Sequence, residues 1–289
     1  MKPDANTTTF AVLGHPVSHS LSPAMHNASL RALGLNAIYL AYDVREQDVP
    51  TAIKGMCALG FGGTNVTIPL KHAAYACMDH LAPCAKRLGV VNTVAYRDGE
   101  TTGYNTDGVG LLADLREQFG LHPRGLKTLV LGCGGAGRAV ALTMAAEGAA
   151  QIMLANRTPA RAAELADDVR AAGATSDVRV LPDDAEAWIE ASLESDLVIQ
   201  CTSSGMRSDE HSLLPARAFR RDQCVYDLIY TQERTSLLHC AAATGARIAN
   251  GLGMLLHQGA ESFHIWTGQR ADTHAMRVAL QEAVHGRQI

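Results

Sequence analysis

The chain has 289 residues, of which 47% are hydrophobic and 19% charged, and its formal net charge is −4. This is the balance of a globular protein of one large or two ordinary domains, able to hold its core without covalent staples. The small net charge, with no block of five like charges, excludes a nucleic acid or an acidic membrane as the expected partner.

An apolar run at residues 10–13 predicts the first strand. Ser22 then reads as a helix N-cap, with Pro23 at the first helical position and Gly34 as the stop. A second strand is expected over 38–42 and a helix over 49–59. Residues 90–96 and 101–104, joined at Asp98-Gly99, have the pattern of a hairpin, and a helix should follow over 108–118. Further on, buried strands are predicted at 126–131, 152–155, 178–181, 197–200 and 225–228, with helical segments between most of them. That alternation marks a parallel sheet with helices on both faces. Helices over 252–266 and 273–284 end the chain. The expected class is α/β with two α/β domains. Residues 1–109 plus 249–289 would form one, and residues 110–248 an inserted Rossmann-type nucleotide-binding domain.

Seven cysteines occur, none in a C-x-x-C pair, and the 12 histidines form no metal-binding set with them. Reduced structural thiols and no metal are therefore expected. The first nine residues are polar, and no apolar run approaches the roughly 20 residues that span a bilayer. A cytoplasmic protein is the expectation. His15, His19 and His26 gather near one motif, and structural or exposed roles are expected for them.

Gly132-Cys133-Gly134-Gly135-Ala136-Gly137 fits G-x-G-x-x-G between a predicted strand and a helix expected over 138–146, the context in which that pattern binds a dinucleotide. The first glycine permits the turn, the second lets a pyrophosphate approach the backbone, and the third lets helix and strand pack closely. Free N–H groups at the helix start would face the phosphates. About 20 residues further on, an NAD site usually carries an acid. This chain has Asn156-Arg157-Thr158 there, with Arg161 four residues beyond Arg157 on one face of the helix expected to start at that point. Guanidinium groups suit the extra 2′-phosphate of NADP.

Four early segments carry small polar groups at predicted strand ends: residues 14–23 with Ser20 and Ser22, 63–71 with Asn65, Thr67 and Lys71, 91–93 with Asn92, and 104–108 with Asp107. Hydroxyls, amides, one lysine and one aspartate suit a polyhydroxylated carboxylic acid. Together with the glycine loop, with residues 202–206, 226–230 and 250–255, and with Gln258, these motifs resemble the shikimate dehydrogenase family in order along nearly the whole chain.

The resemblance implies NADPH-dependent, reversible reduction of 3-dehydroshikimate to shikimate, on the way to chorismate and the aromatic amino acids. It implies that Ser20 and Ser22 hold the substrate carboxylate. Asn65, Thr67, Asn92, Asp107 and Gln258 would bind ring hydroxyls, and Tyr230 would be a further substrate contact. Lys71 and Asp107 match the catalytic pair, while Leu228, Gly251 and Met254 match positions bordering the nicotinamide. The sequence departs from the family pattern at Gln200 (usually Asn), at Asn250 (often Asp) and in residues 230–232, which lack a common proline.

Reducing a ketone needs a hydride on one face and a proton at the oxygen, and Lys71 is suited to the second task. A free lysine has a pKa of about 10.4; burial would lower it and the Asp107 carboxylate would raise it. Which effect dominates stays open in the sequence, as does the choice between monomer and homodimer. Three alternatives share parts of the pattern: a quinate/shikimate dehydrogenase preferring NAD, an NADP sensor without activity, and a methylene-tetrahydrofolate dehydrogenase. The two arginines, the retained Lys71 and Asp107, and the paired serines argue against them in turn.

Overall fold

The computed structural model describes residues 3–207 and 211–286. The chain divides into two compact units, Met1–Gly110 with Leu255–Ile289, and Leu111–Met254. In the first lie β1 (Thr8–Gly14), α1 (Ser22–Ala32), β2 (Ala37–Asp43), α2 (Val49–Ala58), β3 (Gly63–Val66), α3 (Lys71–Ala76), β4 (His80–Leu81), α4 (Pro83–Leu88), β5 (Thr93–Arg97) and β6 (Glu100–Tyr104). The helix α5 (Asp107–Phe119) then leads into the second unit.

That unit contains β7 (Lys127–Leu131), α6 (Gly135–Ala146), β8 (Gln151–Ala155), α7 (Pro159–Ala171), β9 (Asp177–Val180), α8 (Ala185–Glu194), β10 (Leu197–Gln200), β11 (Cys224–Asp227), α9 (Ser236–Ala242) and β12 (Arg247–Asn250). Helices α10 (Leu252–Thr267) and α11 (Thr273–His285) follow.

The first sheet is mixed, in the order β2-β1-β3-β5-β6-β4. Its parallel part is β2-β1-β3, where Val12 stands between Ala41 and Asn65. The β5–β6 hairpin turns on Asp98 and Gly99, both with positive φ (52° and 81°), the signature of a two-residue type I′ turn. Ala11, Leu13, Val66 and Val94 pack beneath Ile53 and Met56 of α2. Helix α1 begins differently from the sequence expectation. Leu21, not Ser22, is the N-cap, and Ser22 and Pro23 both lie within the first turn. Its end runs as expected: Gly34 adopts φ +65°, and the Gly34 and Leu35 N–H groups donate to the Arg31 and Leu30 carbonyls in a Schellman motif.

The second sheet is wholly parallel, in the order β12-β11-β10-β7-β8-β9. Counted from β7 this is 3-2-1-4-5-6, the doubly wound dinucleotide-binding order, whose reversal between β7 and β10 is where ligands bind. Central strands in such a sheet are buried on both faces, which is why they read as unbroken apolar runs. Leu129, Leu131, Met153, Val198 and Val225 form one side of its core, against Trp188, Leu237 and Leu238. No helix among the described residues is long and apolar enough to cross a membrane.

Candidate active site

In the second unit the glycine loop follows β7 at the reversal point. Gly132 has φ +99°, and a Cβ there would lie 2.4 Å from Thr202 Cγ2. At Gly137 a Cβ would lie 1.8 Å from the Gly132 carbonyl oxygen, so only glycine lets α6 start this close to β7. Around Gly134 and Gly135 there is open space. Helix α6 begins at Gly135 rather than at 138, so its free N–H groups lie inside the glycine motif. The Cys133 N–H is already taken by Asn156 Oδ1 at 3.0 Å, while Asn156 Nδ2 donates to the Thr158 carbonyl at 2.9 Å. Burial raises the Cys133 thiol to about 11, which keeps it protonated.

Thr158 is the N-cap of α7, with Pro159 at its first position. Arg157 therefore precedes the helix, and the expectation that Arg157 and Arg161 share a helical face is corrected. Both are exposed, and neither side chain has a hydrogen bond or ion pair among the described residues. Two free guanidiniums beside a loop that leaves room for a pyrophosphate fit an NADP-type dinucleotide.

The loop after β11 carries Leu228 and Tyr230. Buried Asp227 organises it, accepting from the Ile229 N–H at 3.0 Å and from Thr235 Oγ1 at 2.6 Å. Burial raises the Asp227 carboxyl from 3.8 to about 6, against the opposing pull of those two hydrogen bonds. Gly251 lies against the Leu228 carbonyl, and Met254 donates its N–H to the buried Tyr226 phenol, whose O–H donates to Asp114 at 2.6 Å.

The three departures from the family pattern each find a local role. Gln200 Nε2 donates to the Ser204 carbonyl at 2.8 Å, and its Oε1 accepts from Thr202, shaping the turn after β10. Asn250 Oδ1 accepts the Leu252 N–H at 3.1 Å at the start of α10. Gln232 donates to the Gly205 carbonyl, in the segment without the proline.

The first unit gathers the other predicted set. Lys71 opens α3 and Asp107 opens α5, and Lys71 Nζ donates to Asp107 Oδ2 at 2.5 Å with both side chains mostly buried. Asn92 Nδ2 donates to the other Asp107 oxygen at 2.8 Å and to Thr106 Oγ1 at 3.0 Å. Its Oδ1 accepts the Thr106 N–H at 2.8 Å, so the Asn92 amide is fixed in orientation.

Buried Asn65 donates to the Asn92 carbonyl and to Thr93 Oγ1, both at 3.1 Å. Gln258, on α10, brings Oε1 to 3.5 Å from Asn92 Nδ2. Ser20 Oγ accepts the Ser22 N–H at 3.3 Å, and the Thr67 N–H is held by the Leu13 carbonyl at 2.8 Å. The eight predicted first-unit residues thus lie at the carboxyl ends of β1, β3 and β6, at the amino end of β5, on the helices that follow β1, β3 and β6, and on α10.

His15 and His26 donate and accept no hydrogen bond within this network. His15 Nδ1 contacts Asp43 Oδ1 at 2.5 Å on the exposed surface, and His26 is buried on α1, where burial lowers its pKa to about 3. Two members of the network were not singled out in the sequence. Ser262 Oγ lies 3.0 Å from Asn65 Nδ2 and 2.8 Å from Thr93 Oγ1, and the Tyr39 O–H donates to Asn65 Oδ1 at 2.7 Å. Ser262 stands one helical turn beyond Gln258 on the same face of α10, which is a readable signal. Tyr39 lies inside an ordinary strand pattern and offers none.

A doubly wound sheet, a glycine loop with open phosphate space and free arginines define a dinucleotide-binding protein. A lysine–aspartate pair set in an array of amides and hydroxyls fits an oxidoreductase site. Comparison with known proteins gives the family. Residues 12–94 match the shikimate dehydrogenase substrate binding domain, residues 115–222 the shikimate/quinate 5-dehydrogenase model, and residues 251–281 the shikimate 5′-dehydrogenase C-terminal domain.

The chain is 46% identical to the shikimate dehydrogenase (NADP(+)) of Moorella thermoacetica, covering 97% of this chain and 95% of that one. With the enzyme of the same description from Methanopyrus kandleri it shares 44% identity, covering 96% and 97%. The solved shikimate 5-dehydrogenase of Thermus thermophilus, in complex with NADP(H) and shikimate, superposes with a TM-score of 0.86 at 40% identity, covering 96% and 100%. The chain belongs to the shikimate/quinate dehydrogenase family.

Proposed function

We propose that this protein catalyses the reversible NADPH-dependent reduction of 3-dehydroshikimate to shikimate. The observation that carries the reading is the 2.5 Å contact between Lys71 Nζ and Asp107 Oδ2, set among amides already fixed by the fold. The curated relatives described as NADP(+)-dependent and the two free arginines support the same cofactor. Residues 1–109 plus 249–289 act as the substrate domain and residues 110–248 as the NADP-binding domain.

When bound, NADPH supplies the hydride, which no side chain can. Gly132, Gly134, Gly135 and Ala136 would cradle its phosphates, with Cys133 and Asn156 shaping the loop. Arg157, Thr158 and Arg161 would hold the 2′-phosphate, and Leu228, Gly251 and Met254 would border the nicotinamide. Ser20 and Ser22 hold the substrate carboxylate. Asn65, Thr67, Asn92, Gln258 and Tyr230 hold the ring hydroxyls and so fix which carbon faces the reductant.

Lys71 stabilises negative charge developing on the ketone oxygen and donates the proton there. Asp107 orients the ammonium and, through Asn92, ties it to the amide network; in the oxidative direction the proton returns to this coupled pair. Soluble substrate and cofactor suit a cytoplasmic enzyme, working as a monomer or homodimer.

Initial rates at the nicotinamide absorbance band test the reading, with shikimate or quinate paired with NADP+ or NAD+. A strong rate confined to shikimate with NADP+ is expected. Comparable rates with quinate or NAD+ would move the protein to the broader quinate/shikimate group, and no rate in any pairing would refute the proposal.

A further inference from the structure

Tyr39 is buried within an edge strand that is otherwise half-exposed or exposed. Its phenol has one proton, and that proton goes to Asn65 Oδ1 at 2.7 Å. The Ser22 side chain is the phenol's other polar neighbour. One side chain therefore neighbours a group assigned to the substrate carboxylate and bonds a group assigned to a ring hydroxyl.

The phenol cannot easily shift. Its ring stacks on His26, with centroids 4.3 Å apart and planes at 5°. Its backbone N–H and C=O are both held by the Asn27 side chain at 2.8 Å. This supplies the missing neighbour on the open edge of β2 and ties the strand to α1, the helix that begins at Ser22.

The consequence for Asn65 is specific. An amide has two faces of similar shape, one accepting and one donating. Asn65 Nδ2 has two hydrogens and three acceptors within reach: the Asn92 carbonyl and Thr93 Oγ1 at 3.1 Å, and Ser262 Oγ at 3.0 Å. Its donors are therefore spent inside the protein. What Asn65 can offer a ligand is the second lone pair of Oδ1, on the oxygen that Tyr39 holds.

We infer that Tyr39 is a positioning residue for substrate binding: its hydroxyl fixes the Asn65 amide so that Asn65 accepts a proton from a substrate hydroxyl. The inference rests on the proposed shikimate site. It assigns Tyr39 no contact with the reacting atoms, so its effect belongs in substrate binding and not in the chemical step.

Tyr39→Phe keeps the ring stack and removes only the hydroxyl. The KM for shikimate should rise about tenfold, as loss of a buried hydrogen-bond partner would give. The kcat should stay within about twofold, and an unchanged KM for NADP+ shows that the variant is folded. A double-mutant cycle separates positioning from general loosening. In an Asn65→Ala background Tyr39→Phe should cost less than about twofold, because the group it positions is gone. A normal KM in Tyr39→Phe, an equal loss in both backgrounds, or a fall in kcat matching the rise in KM would overturn the inference. The unaltered chain is assayed alongside. If it oxidises no shikimate, the underlying reading falls with the inference, whereas an active parent with an unaffected Tyr39→Phe variant removes the inference alone.

Discussion

Arg157 and Arg161 are the groups that should set the choice between the two nicotinamide dinucleotides. Both are exposed and neither side chain has a hydrogen bond or ion pair among the described residues, so truncating them should break nothing in the free protein. The Tm of Arg157→Ala, Arg161→Ala and the double variant should stay within about 1 °C of the parent. A hydrogen bond between a guanidinium and a phosphate contributes about 1.5–3 kcal/mol where solvent is excluded. Exposure of these arginines places each near the lower figure, about 1.5 kcal/mol, or roughly tenfold in affinity. The two would grip one phosphate, so their losses should not add fully, and the double variant should weaken NADP+ by about 30- to 50-fold. NAD+ lacks that phosphate and should change by less than about twofold. The assay is KM for each dinucleotide at saturating shikimate. An unchanged KM for NADP+ in the double variant, or a parallel rise for NAD+, would show that the arginines do not read the 2′-phosphate.

Gly137→Ala places a Cβ 1.8 Å from the Gly132 carbonyl oxygen, so the loop must move. The variant should lose about 1–3 kcal/mol of stability by denaturant melting and raise the KM for NADP+ by more than about tenfold; a normal KM would show that the loop does not hold the cofactor. Asp227 titrates near 6 in the fold against 3.8 unperturbed. A carboxyl raised in this way favours the folded state while protonated, and that contribution is lost as pH rises from about 4 to about 6. Asp227→Asn removes the titration. Its stability relative to the parent should rise across that window by up to about 3 kcal/mol and stay level above it. A difference that does not vary with pH would place the perturbation elsewhere.

The second sheet was legible because its central strands are buried on both faces and therefore appear as short apolar runs between helices. The β5–β6 hairpin was legible because Asp98-Gly99 can adopt positive φ twice in succession. Helix starts were harder. Ser22 has the right chemistry for a cap, but it lies inside the first turn and Leu21 takes the cap position. Arg157 sits before α7 because Pro159 fixes the first turn there.

Within the site, the motif residues were readable because several chemical groups recur in short segments. Their supports were not. Ser262 meets Asn65 across 197 residues of chain, a contact made by the sheet and α10 and not by any local pattern. The short strands β3, β4 and β12 and the helices α3, α4 and α9 were not singled out, since a turn or two of chain carries too little periodicity to register.

The central claim is that Lys71 delivers the proton at the substrate oxygen, and Lys71→Met tests it most directly, because methionine keeps the length of the side chain and removes the ammonium held by Asp107. Steady-state kinetics with shikimate and NADP+ should show kcat reduced by about 10²- to 10⁴-fold with the KM for shikimate within about threefold. A kcat within about threefold of the parent would contradict the account.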